Sequence, residues 1–340
     1  MPSEKIQRAA VVGAGAWGTT FAQVLCDAGL EVLLWGRDPK LIETINEVHT
    51  SKYLSGIVLP ENLRATSDIS QVLEFSPQML VVAIPSSAIE QALLPLAGQV
   101  SKLEIVSLVK GLKNGHFMSE LIAHTLQVPQ ANVTVISGPN LAGEIAARQP
   151  AATVVANQEI ERAQRVAEAC DAGYFRPYIS TDVIGCEIGG VAKNVIALAV
   201  GAATGMGLGK NTQSTLITRG LAEITRLGLA LGANGETFLG LAGIGDLTTT
   251  CSSQLSRNFT FGENIGKGLS VQQALGASRG VAEGVNSCDH VLALAKENGV
   301  DMPITEAVVD VVHNNHSAAQ MGERLLGRPR KMDGVEIQLA

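Results

Sequence analysis

The sequence predicts an α/β protein in which a doubly wound N-terminal domain is followed by an all-α C-terminal domain. In the first half, short apolar strands without polar alternation are separated by helical patterns, which is typical of a parallel sheet covered on both faces. After about residue 185, strand signals are almost absent and apolar residues recur every three or four positions, as on one helix face. At about 150 residues per domain, 340 residues fit two domains, which we place at 1–185 and 186–340.

The predicted elements of the first domain alternate along the chain. We expect strands at 9–12, 31–35, 79–84, 105–109 and 133–136, and helices at 19–28 and 39–48. In the second domain we expect helices within 195–203, 212–231, 271–275, 289–297 and 304–312. Ligands of a doubly wound sheet bind at the carboxyl ends of its strands. Residues that directly follow a strand are therefore the first candidates for a binding site.

The first strand runs into the turn Gly13-Ala14-Gly15-Ala16-Trp17-Gly18, which has the spacing G-x-G-x-x-G. Gly13 permits a tight turn, Gly15 lets the backbone approach a pyrophosphate, and Gly18 lets helix and strand pack closely. A helix follows at once, and the N–H groups and dipole at its N-terminus favour phosphate. Because a strand precedes the motif and a helix follows it, we predict a Rossmann domain that binds a dinucleotide.

The end of the second predicted strand indicates which dinucleotide is bound. An acidic residue there usually holds the ribose 2′-hydroxyl of NAD, but this strand is followed by Gly36 and Arg37. The glycine removes repulsion against a 2′-phosphate, and the guanidinium supplies several donors to it. We expect NADP(H) to be accepted well. Two alternatives stay open: Arg37 is simply exposed, or Asp38 still serves a ribose, so NAD(H) is not excluded.

Lys193 lies on a predicted helix face that lacks polar residues. Its neighbours three and four positions away, Gly189, Gly190, Ile196 and Ala197, are small or apolar. Burial lowers the pKa of an ammonium group toward the range that is useful for proton transfer. Lys193 is therefore a candidate acid or base. The alternative is a lysine whose side chain extends past small residues to the surface.

Two more segments follow predicted strands of the first domain. Lys110 comes directly after the strand at 105–109, at a carboxyl end where ligands bind. Gly138-Pro139-Asn140 follows the strand at 133–136, and Ala142 opens the next helix. This segment offers backbone N–H groups to a ligand. The alternative for Lys110 is that it is only a solvent-exposed lysine at the end of a strand.

The second domain contains two further candidate segments. Asp246 lies in Gly243-Ile244-Gly245-Asp246-Leu247, a run too apolar and glycine-rich for a carboxylate without a role. Ser256-Arg257-Asn258 places a hydroxyl, a guanidinium and an amide in succession, which suits a phosphate group. The alternative is that these three residues only form a turn that caps the next helix, since such a turn has a similar sequence.

Composition excludes several classes of function. The net charge of −7 provides no general attraction for nucleic acid or an anionic membrane. Five scattered cysteines without a C-x-x-C pair predict reduced, buried thiols, and the six histidines lack ligand spacing, so we expect no metal. No unbroken apolar run reaches the roughly 18 residues of a transmembrane helix. The first predicted strand leaves no room for a signal peptide, so we expect a cytoplasmic protein without membrane insertion.

These motifs make the chain resemble the bacterial type of NAD(P)-dependent glycerol-3-phosphate dehydrogenase over nearly its whole length. The matching segments are 13–19, 137–140, 191–194, 243–247 and 256–258. The family reduces dihydroxyacetone phosphate to sn-glycerol 3-phosphate, the backbone precursor of glycerophospholipids. Its members are generally cytoplasmic and often dimeric. The resemblance thus implies NADP(H) or NAD(H) as cofactor and a homodimer.

The resemblance also implies a role for each matching residue. Lys193 would protonate the carbonyl oxygen as hydride arrives, and Asp246 would help to hold the lysine and the substrate. The other substrate contacts would be Lys110, Gly138, Asn140, Ser256, Arg257 and Asn258. The cofactor contacts would be Gly13, Gly15, Ala16, Trp17, Gly18, Arg37, Lys110, Ala142, Arg257, Val281 and Glu283. Ala16 replaces a common serine, so one bond to the cofactor is missing, and Asn140 replaces a serine or threonine, so one substrate contact is changed.

Two other readings compete with this one. A 3-hydroxyacid dehydrogenase of the 6-phosphogluconate dehydrogenase type has a similar domain order and a catalytic lysine, but it typically has asparagine four residues after that lysine. Here this position is Ala197, and the asparagine is the adjacent Asn194. The other reading is a non-enzymatic module that senses NADP(H). Loss of Lys193 or Asp246 would favour it, and both residues are present.

Overall fold

The computed structural model describes residues 5–277, 282–314 and 316–327. The chain divides into two compact units: the first comprises Met1–Val109 and His116–Val183, and the second comprises Lys110–Gly115 and Ile184–Ala340. The short segment Lys110–Gly115, which the sequence places in the first domain, belongs to the second unit.

The first unit is built on an eight-stranded sheet with the order β10-β9-β8-β5-β4-β1-β2-β3. All neighbouring strands are parallel except β8 and β9, which are antiparallel. Two short strands, β6 and β7, lie outside this sheet, and β6 belongs to the second unit. The strands are β1 (Arg8–Val12), β2 (Glu31–Trp35), β3 (Arg64–Thr66), β4 (Met79–Val82), β5 (Glu104–Ser107), β6 (Leu112–Lys113), β7 (His116–Phe117), β8 (Val133–Ser137), β9 (Ala151–Ala156) and β10 (Phe175–Ser180).

Helices cover both faces of this sheet. Successive residues of a strand point to opposite faces, and β1 accordingly sends Val11 into one buried apolar cluster and Val12 into another. Short 3₁₀ turns occur at Ser86–Ala88, Leu94–Leu96 and Gln130–Asn132. The α-helices are α1 (Ala16–Asp27), α2 (Pro39–Val48), α3 (Ser70–Glu74), α4 (Ile89–Leu93), α5 (Met118–Leu126), α6 (Ala142–Ala146) and α7 (Ile160–Cys170).

The second unit is helical apart from β6 in the part of the chain that the structure describes. A single turn of π-helix, Leu241–Gly245, interrupts it and is irregular at Gly243 (φ −101°, ψ −105°). The helices are α8 (Val183–Gly205), α9 (Lys210–Ala230), α10 (Gly235–Leu239), α11 (Asp246–Ser252), α12 (Arg257–Gly266), α13 (Val271–Ala277), α14 (Glu283–Glu297), α15 (Pro303–His313) and α16 (Ala318–Leu326).

Helix α8 is the central helix of the second unit. Its glycines permit close packing: a Cβ on Gly201 would lie 2.1 Å from the carbonyl oxygen of Phe259 in α12. By length and composition α8 would also pass as a membrane span, with a mean hydropathy of 1.7 over its most apolar 18 residues. Helix α8 was not identified in this way from the sequence, because the criterion there was an unbroken apolar run of that length and α8 has none. Since 94% of that window is buried inside the protein, α8 is a core helix.

The predicted fold class is confirmed, and two elements, β2 and α2, have the predicted bounds. The sequence did not predict β9 and β10 or the antiparallel pairing of β8 with β9. Strand β10 contains Pro177 and is mostly exposed or half-buried, as suits an edge strand. It therefore lacks the continuous apolar run by which the buried strands were recognised.

Candidate active site

The glycine-rich turn between β1 and α1 has the geometry of a phosphate-binding turn. Gly13 has φ +129°, and a Cβ on it would lie 2.4 Å from the carbonyl oxygen of Ala83. A Cβ on Gly18 would lie 1.9 Å from the carbonyl oxygen of Gly13, so both glycines are required by packing. Gly15 differs, because a Cβ there would have no heavy atom within 4 Å. This open space at the N-terminus of α1 fits the pyrophosphate of a dinucleotide.

Helix α1 also holds the neighbouring helix α6. The hydroxyl of Thr20 donates to the carbonyl oxygen of Ala142 at 3.1 Å, and the amide of Gln23 donates to that of Ala146 at 3.0 Å. Trp17, the second residue of α1, is half-buried and packs edge-on against Phe21, with 5.7 Å between the ring centroids. Ala16 opens the helix without a polar side chain. The cofactor residues predicted on α1 and α6 therefore belong to one rigid arrangement.

The loop after β8 contains unsatisfied polar atoms. Gly138 has φ +148°, and a Cβ on it would lie 3.2 Å from the Cα of Thr153 in β9. Asn140 turns inward, and its Nδ2 donates to Oγ1 of Thr153 at 2.9 Å. The Oδ1 atom of Asn140 and the Oγ atom of Ser137 are buried without a hydrogen-bond partner among the described residues. Two polar atoms at this strand end are thus unsatisfied and covered by the surrounding protein.

Packing against the glycine-rich turn explains why the first residue after β2, position 36, is glycine. A Cβ on Gly36 would lie 2.6 Å from the Cβ of Ala14 in the glycine-rich turn. Packing within the first unit therefore requires this glycine, apart from any effect on cofactor choice. Arg37, which follows it, is exposed and forms no ion pair with the described residues.

Asp38 is already occupied by partners within the protein. Its Oδ1 accepts from the backbone N–H of Lys40 at 3.2 Å and so caps helix α2. Its Oδ2 accepts from Nζ of Lys52 at 2.7 Å. This engagement weakens the alternative that Asp38 holds a ribose hydroxyl.

The second unit brings together a compact group of charged side chains. Asp246, only 1% exposed, accepts a hydrogen bond from Nζ of Lys110 on Oδ2 at 2.6 Å and from Nζ of Lys193 on Oδ1. Lys193 also donates to Oγ1 of Thr250 at 2.7 Å. Its third N–H has no acceptor among the described residues. We call Lys110, Lys193, Asp246 and Thr250 the lysine–aspartate cluster.

Backbone packing brings this cluster together. A Cβ on Gly189, one helical turn before Lys193, would lie 2.3 Å from the carbonyl oxygen of Ala242. Helix α8 can therefore approach the π-turn at Leu241–Gly245 closely, and α11 begins directly afterwards at Asp246. Since residues four apart share a helix face, Asp246 and Thr250 both reach Lys193.

The electrostatics of the cluster favour a lysine that can lose its proton. Lys193 is 7% exposed, which contradicts the alternative that its side chain reaches the surface. Burial is the largest effect and lowers the pKa of Lys193 to about 8, with a further lowering from the charge of Lys110. The carboxylate of Asp246 opposes both effects by raising the pKa. The cluster holds two ammonium groups and one carboxylate, so it retains one positive charge.

The segment Ser256-Arg257-Asn258 is more engaged within the protein than the sequence suggested. Ser256 caps α12, accepting from the N–H of Phe259 at 3.3 Å, so the helix-cap alternative describes its side chain. Asn258 is buried; its Nδ2 donates to Oδ1 of Asn194 at 2.9 Å, and its Oδ1 accepts from the N–H of Gly284 at 2.9 Å. Arg257 alone of the three is exposed.

One predicted cofactor residue, Glu283, lies beside this network. Glu283 is the first residue of α14 and precedes Gly284. A Cβ on Gly284 would lie 2.7 Å from the carbonyl oxygen of Asn194, so α14 approaches α8 next to Lys193. Val281 lies outside the described residues.

Sequence reasoning missed Thr250 and assigned no role to Asn194. Thr250 ends the run Thr248-Thr249-Thr250, which looks like part of an ordinary polar helix. Its position four residues after Asp246 was the only available signal.

The structure also places Cys288, Asp289 and His313 close together, with ligand atoms within 4.8 Å of one another. The Sγ of Cys288 lies 3.5 Å from Nε2 of His313. Burial raises the pKa of the Cys288 thiol to about 12, which opposes the thiolate that a metal ion needs. The exposed Asp289 and His313 do not offset that cost, so the group does not revise the expectation of no metal. All five cysteines are free and buried, as predicted.

A Rossmann-type unit with a phosphate-binding turn and a helical unit with a buried, partly neutralised lysine define a dinucleotide-dependent oxidoreductase. Comparisons with known proteins identify the family. The model of the NAD-dependent glycerol-3-phosphate dehydrogenase N-terminus matches residues 8–163, and that of the C-terminus matches residues 182–323. The chain belongs to this family.

Individual relatives agree. The chain is 52% identical to the glycerol-3-phosphate dehydrogenase [NAD(P)+] of Streptomyces griseus, over 95% of this chain and 97% of that protein. It is 50% identical to the enzyme of the same name from Corynebacterium diphtheriae, over 95% and 99%. The crystal structure of glycerol-3-phosphate dehydrogenase from Coxiella burnetii superposes with a TM-score of 0.88 at 36% identity, covering 95% of this chain and 99% of that one. These findings favour the glycerol-3-phosphate dehydrogenase family over the two alternative interpretations, a 3-hydroxyacid dehydrogenase and a non-enzymatic module.

Proposed function

We propose that this protein catalyses the NAD(P)H-dependent reduction of dihydroxyacetone phosphate to sn-glycerol 3-phosphate, and the reverse oxidation. The observation that carries the mechanism is the lysine–aspartate cluster, in which a buried lysine keeps one N–H that no described residue accepts. Family membership supports the substrate and the cofactor.

Lys193 acts as the general acid in this reaction. The reduced nicotinamide, when bound, supplies a hydride to the carbonyl carbon of the substrate. The oxygen of that carbonyl gains negative charge, and Nζ of Lys193 gives it a proton, which leaves a neutral amine and a neutral alcohol. In the reverse direction the neutral amine takes the hydroxyl proton. A pKa of about 8 suits both directions, because neither form of the lysine is scarce near neutral pH.

Asp246 and Thr250 position Lys193. With two of its N–H groups directed to Asp246 and Thr250, the third has a fixed direction. Lys110, on the other oxygen of Asp246, adds a second positive charge that stabilises developing negative charge on the substrate. The cluster thus combines a proton donor with a preorganised positive field.

The other substrate and cofactor contacts are proposals from the motifs. Arg257 is suited to the substrate phosphate, because its side chain is exposed while its neighbours Ser256 and Asn258 are held by hydrogen bonds within the protein. Gly138 and Asn140 are proposed to line the substrate site. The proposed cofactor contacts are Gly13, Gly15, Ala16, Trp17, Gly18, Arg37, Lys110, Ala142, Arg257, Val281 and Glu283.

The wider setting is also proposed. Residues 1–185 bind the dinucleotide and residues 186–340 bind the substrate. The protein acts in the cytoplasm as a homodimer, without nucleic acid or membrane insertion, and supplies glycerophospholipid synthesis. The net charge of −7 and the burial of α8 support the absence of such partners.

A direct test mixes the purified protein with NADPH and dihydroxyacetone phosphate and follows absorbance at the nicotinamide band. We expect consumption of NADPH that depends on the substrate and yields glycerol 3-phosphate. Absence of consumption with both NADPH and NADH would overturn the proposed function. Size-exclusion chromatography with light scattering tests the homodimer separately.

A further inference from the structure

We propose that Lys52 is a specificity-determining residue that binds the 2′-phosphate of NADP(H) together with Arg37, and that Asp38 positions it. The inference rests on the proposed use of a nicotinamide dinucleotide. It concerns only the first unit, where all three residues lie.

After helix α2 the chain turns back and brings the side chain of Lys52 to the end of β2. Helix α2 has ten residues and is therefore about 15 Å long, and Asp38 caps its N-terminus. At the C-terminus, His49 adopts a left-handed conformation (φ +53°) that ends the helix and turns the chain. The side chain of Lys52 then reaches back to Asp38, with 2.7 Å between Nζ and Oδ2. The end of β2 is where a Rossmann domain reads the adenosine ribose.

The charges at this point favour a phosphate over a hydroxyl. In NAD-specific sites an unpaired carboxylate accepts from the ribose 2′-hydroxyl and repels a 2′-phosphate. Here Lys52 neutralises Asp38, and Lys40 N–H occupies its other oxygen. With Arg37 and Lys52 against Asp38, the group carries one net positive charge. An ammonium has three N–H donors, so pairing with Asp38 leaves Lys52 able to donate to a phosphate.

Stability does not explain the pair. The side chains of Lys52 and Asp38 are 57% and 40% exposed, and ion pairs this exposed contribute little to folding. The hydrogen bond from Lys52 nevertheless holds the pKa of Asp38 below its usual range, so the carboxylate stays charged and keeps its partner. A pair that contributes little to folding but holds an ammonium group at the end of β2 suits the positioning of a cation for a ligand.

The test uses the protein without cofactor and two matched probes, adenosine 2′,5′-bisphosphate and adenosine 5′-monophosphate, which differ only in the 2′-phosphate. Binding is measured by titration calorimetry at low salt. For Lys52→Gln we expect about tenfold weaker binding of the bisphosphate, the loss of one charge-assisted contact, and less than twofold change for the monophosphate. Lys52→Arg keeps the cation and is expected to restore most of the difference.

Lys102→Gln is the matched control, because Lys102 precedes β5 at the amino edge of the sheet, opposite the proposed site. We expect it to leave both probes unchanged. Circular dichroism and the melting temperature show whether each variant is folded. Equal effects of Lys52→Gln on the two probes, or no effect on the bisphosphate, would overturn the proposal. Turnover of the wild-type protein is measured apart, so failure of the proposed function would be recognised independently.

Discussion

Lys193 and Glu223 are both buried, ionisable residues of the helical unit, but they differ in how many of their hydrogen-bonding groups have partners. Glu223, on α9, is 2% exposed and accepts three hydrogen bonds at the start of α15. They come from the N–H of Ile304 at 2.6 Å and from the N–H and hydroxyl of Thr305 at 3.2 and 3.1 Å. The protein uses both oxygens of Glu223, whereas Lys193 keeps one N–H unused by the described residues.

The difference between the two residues lies in their partners and not in their burial. Desolvation acts on both groups: it raises the pKa of Glu223 to about 7 and lowers that of Lys193 to about 8. A shifted pKa therefore does not distinguish them. The distinction is that Glu223 caps a helix N-terminus, where the dipole favours its charge, while Lys193 shares its single carboxylate with Lys110.

The largest expected effect is that of Lys193→Met, which keeps most of the side-chain volume and removes the proton donor. We expect turnover in the reduction direction to fall by about 10²–10⁴-fold, the usual contribution of a positioned acid. NADPH affinity, measured by fluorescence titration, should change little. Turnover within about threefold of wild type would remove Lys193 from the mechanism.

Asp246→Asn is expected to reduce turnover by about 10²-fold, because Lys193 and Lys110 then lack their shared carboxylate. The lost attraction also lowers the pKa of Lys193 further, so the remaining activity should have its pH midpoint at lower pH. Removing one partner of a buried pair is destabilising by about 3–5 kcal/mol, and urea unfolding measures this. A variant with unchanged midpoint and turnover would show that Asp246 does not act on Lys193.

Glu223→Ala tests the opposite side of the comparison. The change leaves donors at the start of α15 without their acceptor, and we expect a loss of about 2 kcal/mol in the free energy of unfolding. Measured at pH 8, where Glu223 is charged, turnover of the folded variant should remain within about twofold of wild type. Glu223→Gln keeps one acceptor oxygen and should lose less stability. A large fall in turnover without loss of stability would place Glu223 in the functional machinery.

Local patterns predicted the fold class, the glycine-rich turn and the burial of Lys193, because each depends on residues adjacent in sequence or one helical turn apart. The partners of these residues depend on tertiary contacts. Lys110 and Asp246 are 136 residues apart, and Glu223 and Ile304 are 81 apart. No local pattern connects them. Glu223 itself has the appearance of an ordinary helix residue.

Internal packing and hydrogen bonds also explain some residues that the sequence analysis had explained by ligand binding. Gly36 was interpreted through cofactor charge, but its contact with Ala14 requires glycine in any case. Ser256 and Asn258 were interpreted through phosphate binding, but they bond to Phe259, Asn194 and Gly284. Residue type and order predict where a site lies, while the assignment of each hydrogen bond needs coordinates.

The central claim is that Lys193 exchanges a proton with the substrate, and the pH dependence of kcat/KM in both directions tests it most directly. Reduction needs the ammonium form, so its rate should fall as pH rises through about 8; oxidation needs the neutral amine, so its rate should rise through the same value. Measurements start near pH 7, where a phosphate ester is almost fully ionised. Both limbs should disappear in Lys193→Met. Rates that change in the same sense in both directions, or limbs that persist in the variant, would contradict the account.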